Sequence, residues 1–258
     1  MINNFAQGFV KNFASGFVSG GGSSAPLAPF PYITDRTYWF KAASASITID
    51  VLGDDTFAVI PNLLGDGELI QQTKDYQLLY DASGFKGLHL DQRSNAWAAG
   101  SVVGFNNNPD AVYIACNLRV DTITSEFIIF NNGRFSLRVP TNRQVGFTHP
   151  YVEGGDSWAF RAPAITLGAW YTVEMYFDYT TDLCTFWYNG VAQTLAFDAL
   201  KTYAPTATDK AATIDAGDGV MPELIYVDIQ YGGSLTDAAA FETLYRTGIS
   251  TYINGERP

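Results

Sequence analysis

The chain has 258 residues, of which 47% are hydrophobic and only 16% charged, and it carries a formal net charge of −11. That composition excludes a disordered chain, and acidity of this size disfavours partners built on phosphate, whether nucleic acid or an anionic lipid surface. Aromatics at 15%, with 24 glycines against 3 methionines, favour many strands and tight turns over helices.

The first 33 residues form a tail. Residues 4–10 read NFAQGFV and residues 12–18 read NFASGFV, one short phrase written twice. Phe5, Phe9, Phe13 and Phe17 recur every fourth residue, so on a short helix they would share a face, although Gly8 and Gly16 weaken that helix. An extended clip ordered on binding is the alternative. The phrase runs into a Gly/Ser spacer at 19–24 and then three prolines, Pro26, Pro29 and Pro31, which hold it away from the body. Four phenylalanines on such a leash are too apolar to rest in water, and they predict docking into a repeated site on a larger assembly. The tail lacks the basic start and uninterrupted apolar centre of a signal peptide, so it is read as part of the mature protein. No run of 18 apolar residues predicts a transmembrane helix.

From residue 34 onward the pattern is β, in one domain spanning 34–258. Apolar or alternating runs occur at SITIDVL (46–52), TFAVI (56–60), YQLLY (76–80), GLHLD (87–91), AVYIACNLRV (111–120) and EFIIF (126–130). They continue at RFSLRV (134–139), WYTVEMYFDY (170–179), CTFWY (184–188) and ELIYVDIQY (223–231). Asn131-Asn132-Gly133 and Asn189-Gly190 supply the positive φ of tight hairpins, the second leading into VAQTLAF (191–197). One late helix is predicted over LTDAAAFETLY (235–245), capped by Thr236 or Asp237, with Gly248 past its end. Many strands without βα alternation predict an all-β, two-sheet antiparallel architecture. Cys116 and Cys184 each sit in an apolar run and read as small buried hydrophobes, with a single disulfide as the alternative.

Four segments, in order, resemble the laminin-G-like, concanavalin A-type domains. GLHLDQRSNAW resembles their opening strand and loop, and AVYIACNLRVDTITSEFIIFNNGRFSLRV is similar to their long strand, loop and hairpin. AWYTVEMYFDYTTDLCTFWYNGV is similar to their tryptophan, strand, Asp turn, strand and Asn-Gly turn. ELIYVDIQYGGSLTDAAAFETLY resembles their closing strand and short helix. The resemblance covers roughly residues 85–246 and implies a jelly-roll sandwich that commonly binds carbohydrate or protein. Within it Trp170, Asp178 and Asn189-Gly190 are expected to hold geometry, and Trp39, Trp97 and Trp187 to be core.

Glycoside hydrolases of this fold place two or three carboxylates on one strand face as acid and base or nucleophile. Their Glu-x-Asp-x-x-Glu arrangement is absent here. The nearest match, Glu174 with Asp178, shares a face by parity but has no third carboxylate, and His89 and His149 have no evident nucleophile. The chain is therefore read as a binding protein and not an enzyme. For sugar, the best segment is HPYVEGGDSW (149–158), with Tyr151 and Trp158 as stacking faces and Glu153 and Asp156 as hydroxyl acceptors. No cofactor is expected. Calcium is the one ion the resemblance admits, with Asn107 and Asp110 in the 106–110 turn as candidate ligands and Asp215 with Asp218 as a second cluster.

Laminin-G-like modules joined to short glycine/phenylalanine tails resemble accessory proteins of tailed-phage particles: fibres, decoration proteins or receptor binders. That resemblance implies a virion protein, homo-oligomeric, docked to other particle proteins through residues 1–24 and displaying a lectin-like domain to host-surface glycan. A secreted or cell-surface carbohydrate-binding protein is the alternative, and a glycan-cleaving enzyme of the same fold a further one.

Overall fold

The computed structural model describes residues 37–44, 46–49, 56–64, 68–71, 79–82, 85–90, 97–99, 111–131, 135–150, 156–179, 181–197, 213–214, 219–221, 223–229 and 246–257. The strands in chain order begin β1 (Thr37–Lys41), β2 (Ser46–Ile49), β3 (Thr56–Pro61), β4 (Glu68–Gln71), β5 (Leu79–Ala82), β6 (Phe85–Leu90) and β7 (Trp97–Ala99). Next come β8 (Ala111–Val120), β9 (Phe127–Asn131), β10 (Ser136–Val139), β11 (Gln144–Pro150), β12 (Asp156–Ala164), β13 (Trp170–Asp178) and β14 (Leu183–Tyr188). The last are β15 (Val191–Ala192), β16 (Ala196–Phe197), β17 (Thr213–Ile214), β18 (Gly219–Met221) and β19 (Glu223–Ile229), followed, among the described residues, by the helix α1 (Thr247–Gly255).

All described pairings are antiparallel and form two sheets. The first runs β15-β14-β13-β8-β18-β6-β5, with β19 also on β8 and β1 on β19. The second runs β16-β12-β11-β10-β9-β17-β7-β4-β3-β2. The all-β, two-sheet expectation holds.

Strand alternation divides the apolar residues of the first sheet between two environments. Val112, Ile114, Cys116, Leu118, Val173, Met175, Phe177 and Phe186 face the second sheet and meet Phe127, Phe130, Leu137, Phe147 and Ala162 there. Phe147 and Phe177 span the two layers with ring centroids 4.7 Å apart, and the Tyr188 hydroxyl donates to the Pro163 carbonyl across the same gap. The alternate residues Ala111, Tyr113, Ala115, Tyr176 and Trp187 form a second apolar cluster with Trp39, Ile225 and Val227, capped by Ile249 and Ile253 of α1. Because a helix covers this outer face, β8 is buried on both sides, and so its sequence is a continuous apolar run.

The turns behave as their residues dictate. Asn189 and Gly190 both take positive φ, 54° and 80°, at the β14–β15 hairpin. Asn189 Oδ1 accepts the Thr172 N–H, and Asp178 Oδ1 accepts the Thr181 N–H, so these two of the expected geometry-holding residues serve that role. The run 191–197, expected as one strand, divides: β15 pairs with β14, whereas β16 crosses to pair with β12 in the other sheet. The helix expected over 235–245 lies outside the described residues, and a helix not expected from the sequence runs Thr247–Gly255 with Gly248 inside it.

Both cysteines are free. Cys116 pairs with Val173 and Cys184 with Phe177, on opposite flanks of β13 and four residues apart along it, 173 against 177. Strand geometry separates such positions by about 13 Å along and about 10 Å across. A disulfide requires its α-carbons within about 7 Å, so the bridge is ruled out; Cys116 is buried in the core, and Cys184 is partly buried against it.

The inter-sheet core predicts the effect of removing its central ring. Phe177→Ala is expected to lower unfolding free energy by about 3–5 kcal/mol, measured by urea denaturation. Buried Cys116 should react with a thiol reagent only after unfolding, whereas half-buried Cys184 should react slowly in the intact protein.

Candidate functional site

Most residues expected to touch a partner fall outside the described residues: Phe5, Phe9, Phe13 and Phe17 of the tail, Tyr151 and Glu153, and Asn107 and Asp110. The 149–158 segment is nonetheless framed by backbone. His149 and Pro150 end β11, Asp156 opens β12, and Pro150 pairs with Asp156, so only residues 151–155 connect the two strands. Trp158 lies within β12 opposite Thr148, not in a loop. The expected polar loop of ten residues is thus a strand-framed connection of five.

The described polar chemistry gathers instead beneath α1. Glu174 sits mid-strand in β13, flanked by apolar residues, and is 0% exposed. A carboxylate there is tolerated only if its lone pairs are matched by donors. One oxygen accepts the Ser250 hydroxyl at 2.8 Å; the other accepts the Tyr113 hydroxyl at 2.9 Å and Arg246 Nη1 at 3.1 Å. The Arg246 guanidinium lies 4.4 Å over the Trp187 ring. Burial raises the Glu174 carboxyl above its ordinary range, opposed by the Ser250 hydrogen bond, the Arg246 charge and the Tyr113 hydrogen bond. Burial likewise drives the Tyr113 hydroxyl well up, so it donates as a neutral phenol.

Two smaller contacts complete the helix seat. Asn117 donates to the Ile253 carbonyl at 2.6 Å and accepts from the Thr172 hydroxyl at 2.6 Å. Lys41 pairs with Glu256 at 2.5 Å and donates to the Tyr252 hydroxyl at 3.1 Å. Glu174 and Asp178 do share a face, as parity required, yet α1 seals Glu174 from solvent and commits both its oxygens to donors. The arrangement holds a helix on a sheet; it offers no route for a substrate to reach Glu174.

Sequence reading located Glu174 but not Arg246, Ser250 or Tyr113. The available signal was the acid itself: a carboxylate inside an apolar strand demands a buried cation, though nothing in the chain says which of 15 lysines and arginines supplies it. Among the described residues no group of three or more His, Cys, Asp or Glu is placed to hold a metal.

No family model matches the chain, and no curated protein matches it in sequence. Its fold is similar to that of solved structures. One is Trypanosoma rangeli sialidase in complex with 2-keto-3-deoxy-D-glycero-D-galacto-2,3-difluoro-nononic acid, at a TM-score of 0.51 and 10% identity, covering 89% of this chain and 38% of that one. Another is the botulinum neurotoxin serotype D binding domain, at a TM-score of 0.50 and 8% identity, covering 89% of this chain and 53% of that one. The chain spans well under two thirds of either, and at such identity the likeness concerns the fold alone.

The seat of α1 makes a graded prediction. Arg246→Ala strands a buried carboxylate and is expected to destabilise by about 3–5 kcal/mol, whereas Ser250→Ala removes one hydrogen bond and is expected to lower stability by about 1–2 kcal/mol. Urea denaturation of both variants against the unmodified chain checks the ordering.

Proposed function

We propose that this chain is a non-enzymatic carbohydrate-binding module of the concanavalin A-like, jelly-roll kind, brought to a larger particle by its N-terminal tail. The observation that supports the binding half is the likeness in fold to part of a sialidase solved in complex with a nine-carbon sugar acid. The glycan contact assigned here is the β11–β12 connection, with Tyr151 and Trp158 as stacking faces and Glu153 and Asp156 as acceptors. Pairing of Pro150 with Asp156 supports it, because the two strand ends set the base of a short connection that carries Tyr151 and Glu153, with Asp156 and Trp158 following in β12.

The non-enzymatic half rests on Glu174. Acid–base hydrolysis needs two carboxyls flanking a bond that can reach them, and here one candidate is sealed under a helix with both oxygens engaged.

The docking half rests on the doubled NFAxGFV phrase. Two equivalent clips on one flexible spacer gain from effective concentration, which favours a multi-copy assembly such as a virus particle over a single partner. Host-surface glycan is then the outward ligand and the assembly the inward one. Secretion to a cell surface with the same glycan role is the alternative.

Binding of the full chain to immobilised glycans, scored by array and confirmed by calorimetry, tests the outward ligand. Tyr151→Ala and Asp156→Asn are each expected to weaken binding about tenfold, which is about 1.4 kcal/mol. No binding to any surface polysaccharide would remove the glycan role. For the inward partner, Phe9→Ala and Phe17→Ala should each reduce incorporation into the particle modestly and together nearly abolish it. Full occupancy after deletion of residues 1–24 would defeat the docking role.

A further inference from the structure

Helix α1 rests on two buried carboxylates, and they are treated differently. Glu174 has donors on both oxygens. Glu223 opens β19 opposite Lys41 of β1 and is 2% exposed. One of its oxygens accepts the indole N–H of Trp39, while the other is buried with no hydrogen-bond partner among the described residues.

The helix closes over this acid with Tyr252. The Tyr252 ring meets Trp39 edge-on at 5.7 Å, and its hydroxyl accepts from Lys41 close to the Glu223 carboxyl. The charged groups facing Glu223 are Lys41 from β1 and Glu256 from α1, and these two already pair with each other at 2.5 Å. Glu174 and Arg246 neutralise one another beneath the opposite end of the helix. An ionised Glu223 would therefore be buried with one oxygen unmatched, a shared ammonium and a second carboxylate beside it, an expensive state. Burial pushes its carboxyl up to about 7, against the Trp39 hydrogen bond and the Lys41 charge, with Glu256 adding to the rise.

We propose that α1 is a pH-responsive latch on the outer face of the first sheet, closed while Glu223 is neutral and opened increasingly as that carboxyl ionises. With the helix lifted, the carboxyl is hydrated and titrates near its ordinary 4.5. Between that value and about 7 the closed form holds a proton that the open form has released. The advantage of the closed form is complete in acid, shrinks through this window as pH rises, and levels off above it. Opening uncovers Trp39, Tyr113, Tyr176 and Trp187, an aromatic face otherwise shut away.

Hydrogen exchange of the amides of 247–257 in the full chain, corrected for the intrinsic pH dependence of exchange, reads the latch. The opening equilibrium is expected to rise by about one to two orders of magnitude from pH 5 to pH 8. Glu223→Gln should flatten that rise and keep the helix closed at pH 8. An opening constant that stays flat or falls with pH in the unmodified chain overturns the latch, as does an unaltered slope in the variant. Should the variant fail to fold, carbon-detected titration of the unmodified chain decides: a glutamate carboxyl titrating near 7 in step with helix opening supports the latch, and glutamates that all titrate in the ordinary range overturn it. None of these readouts requires a glycan or a particle, so the latch stands or falls apart from the binding role.

Discussion

Everything described in this fold leans on one pairing, the antiparallel register of β8 with β13 from Arg119 opposite Trp170 to Ala111 opposite Asp178. Both strands are buried over most of their length, so each residue's parity assigns it to one of two interiors. Even positions of β8 and odd positions of β13 fill the gap to the second sheet. Their alternates face α1. A slip of one residue would exchange the two sets and bring Glu174 into the inter-sheet core among Phe147 and Phe177. Register is therefore fixed doubly, by hydrophobic matching on one side and by a charged network on the other.

The two interiors differ in chemistry. The inter-sheet core holds aromatic and branched side chains whose association is non-directional and proportional to area. The helix seat takes Ile249 and Ile253 among aromatic side chains and also draws on directional contacts to Glu174, Asn117 and Lys41. Such contacts give unique placement more than net stability, because each replaces hydration already enjoyed in the unfolded chain. A helix seated this way opens more readily than a core strand, and the unmatched oxygen of Glu223 gives that opening a dependence on proton concentration.

The proposed division of labour follows from what each part can do. A two-sheet body in which Glu174 is committed to internal donors is suited to display and recognition, which use connections at strand ends. The tail, with its duplicated phenylalanines, is suited to attachment, which uses flexible reach and apolar burial. Similar folds occur in a sialidase and in a toxin binding domain, so fold alone does not choose a role.

The sequence by itself determined whatever depends on local period and turn chemistry. The apolar run 111–120, the 170–178 and 183–188 pair and the Asn-Gly turns were legible because strand alternation and positive φ leave marks on adjacent residues. It also settled that Glu174 and Asp178 share a face, a consequence of parity. Tertiary structure decided what depends on residues far apart in the chain. Nothing in the order of residues says that Arg246 and Ser250 reach Glu174, more than seventy positions away. The split of 191–197 between sheets, the free state of Cys116 and Cys184, and the isolation of Glu223 under Tyr252 are of the same kind. Local sequence fixes which way a side chain points, but only the packing of distant segments fixes what it meets there.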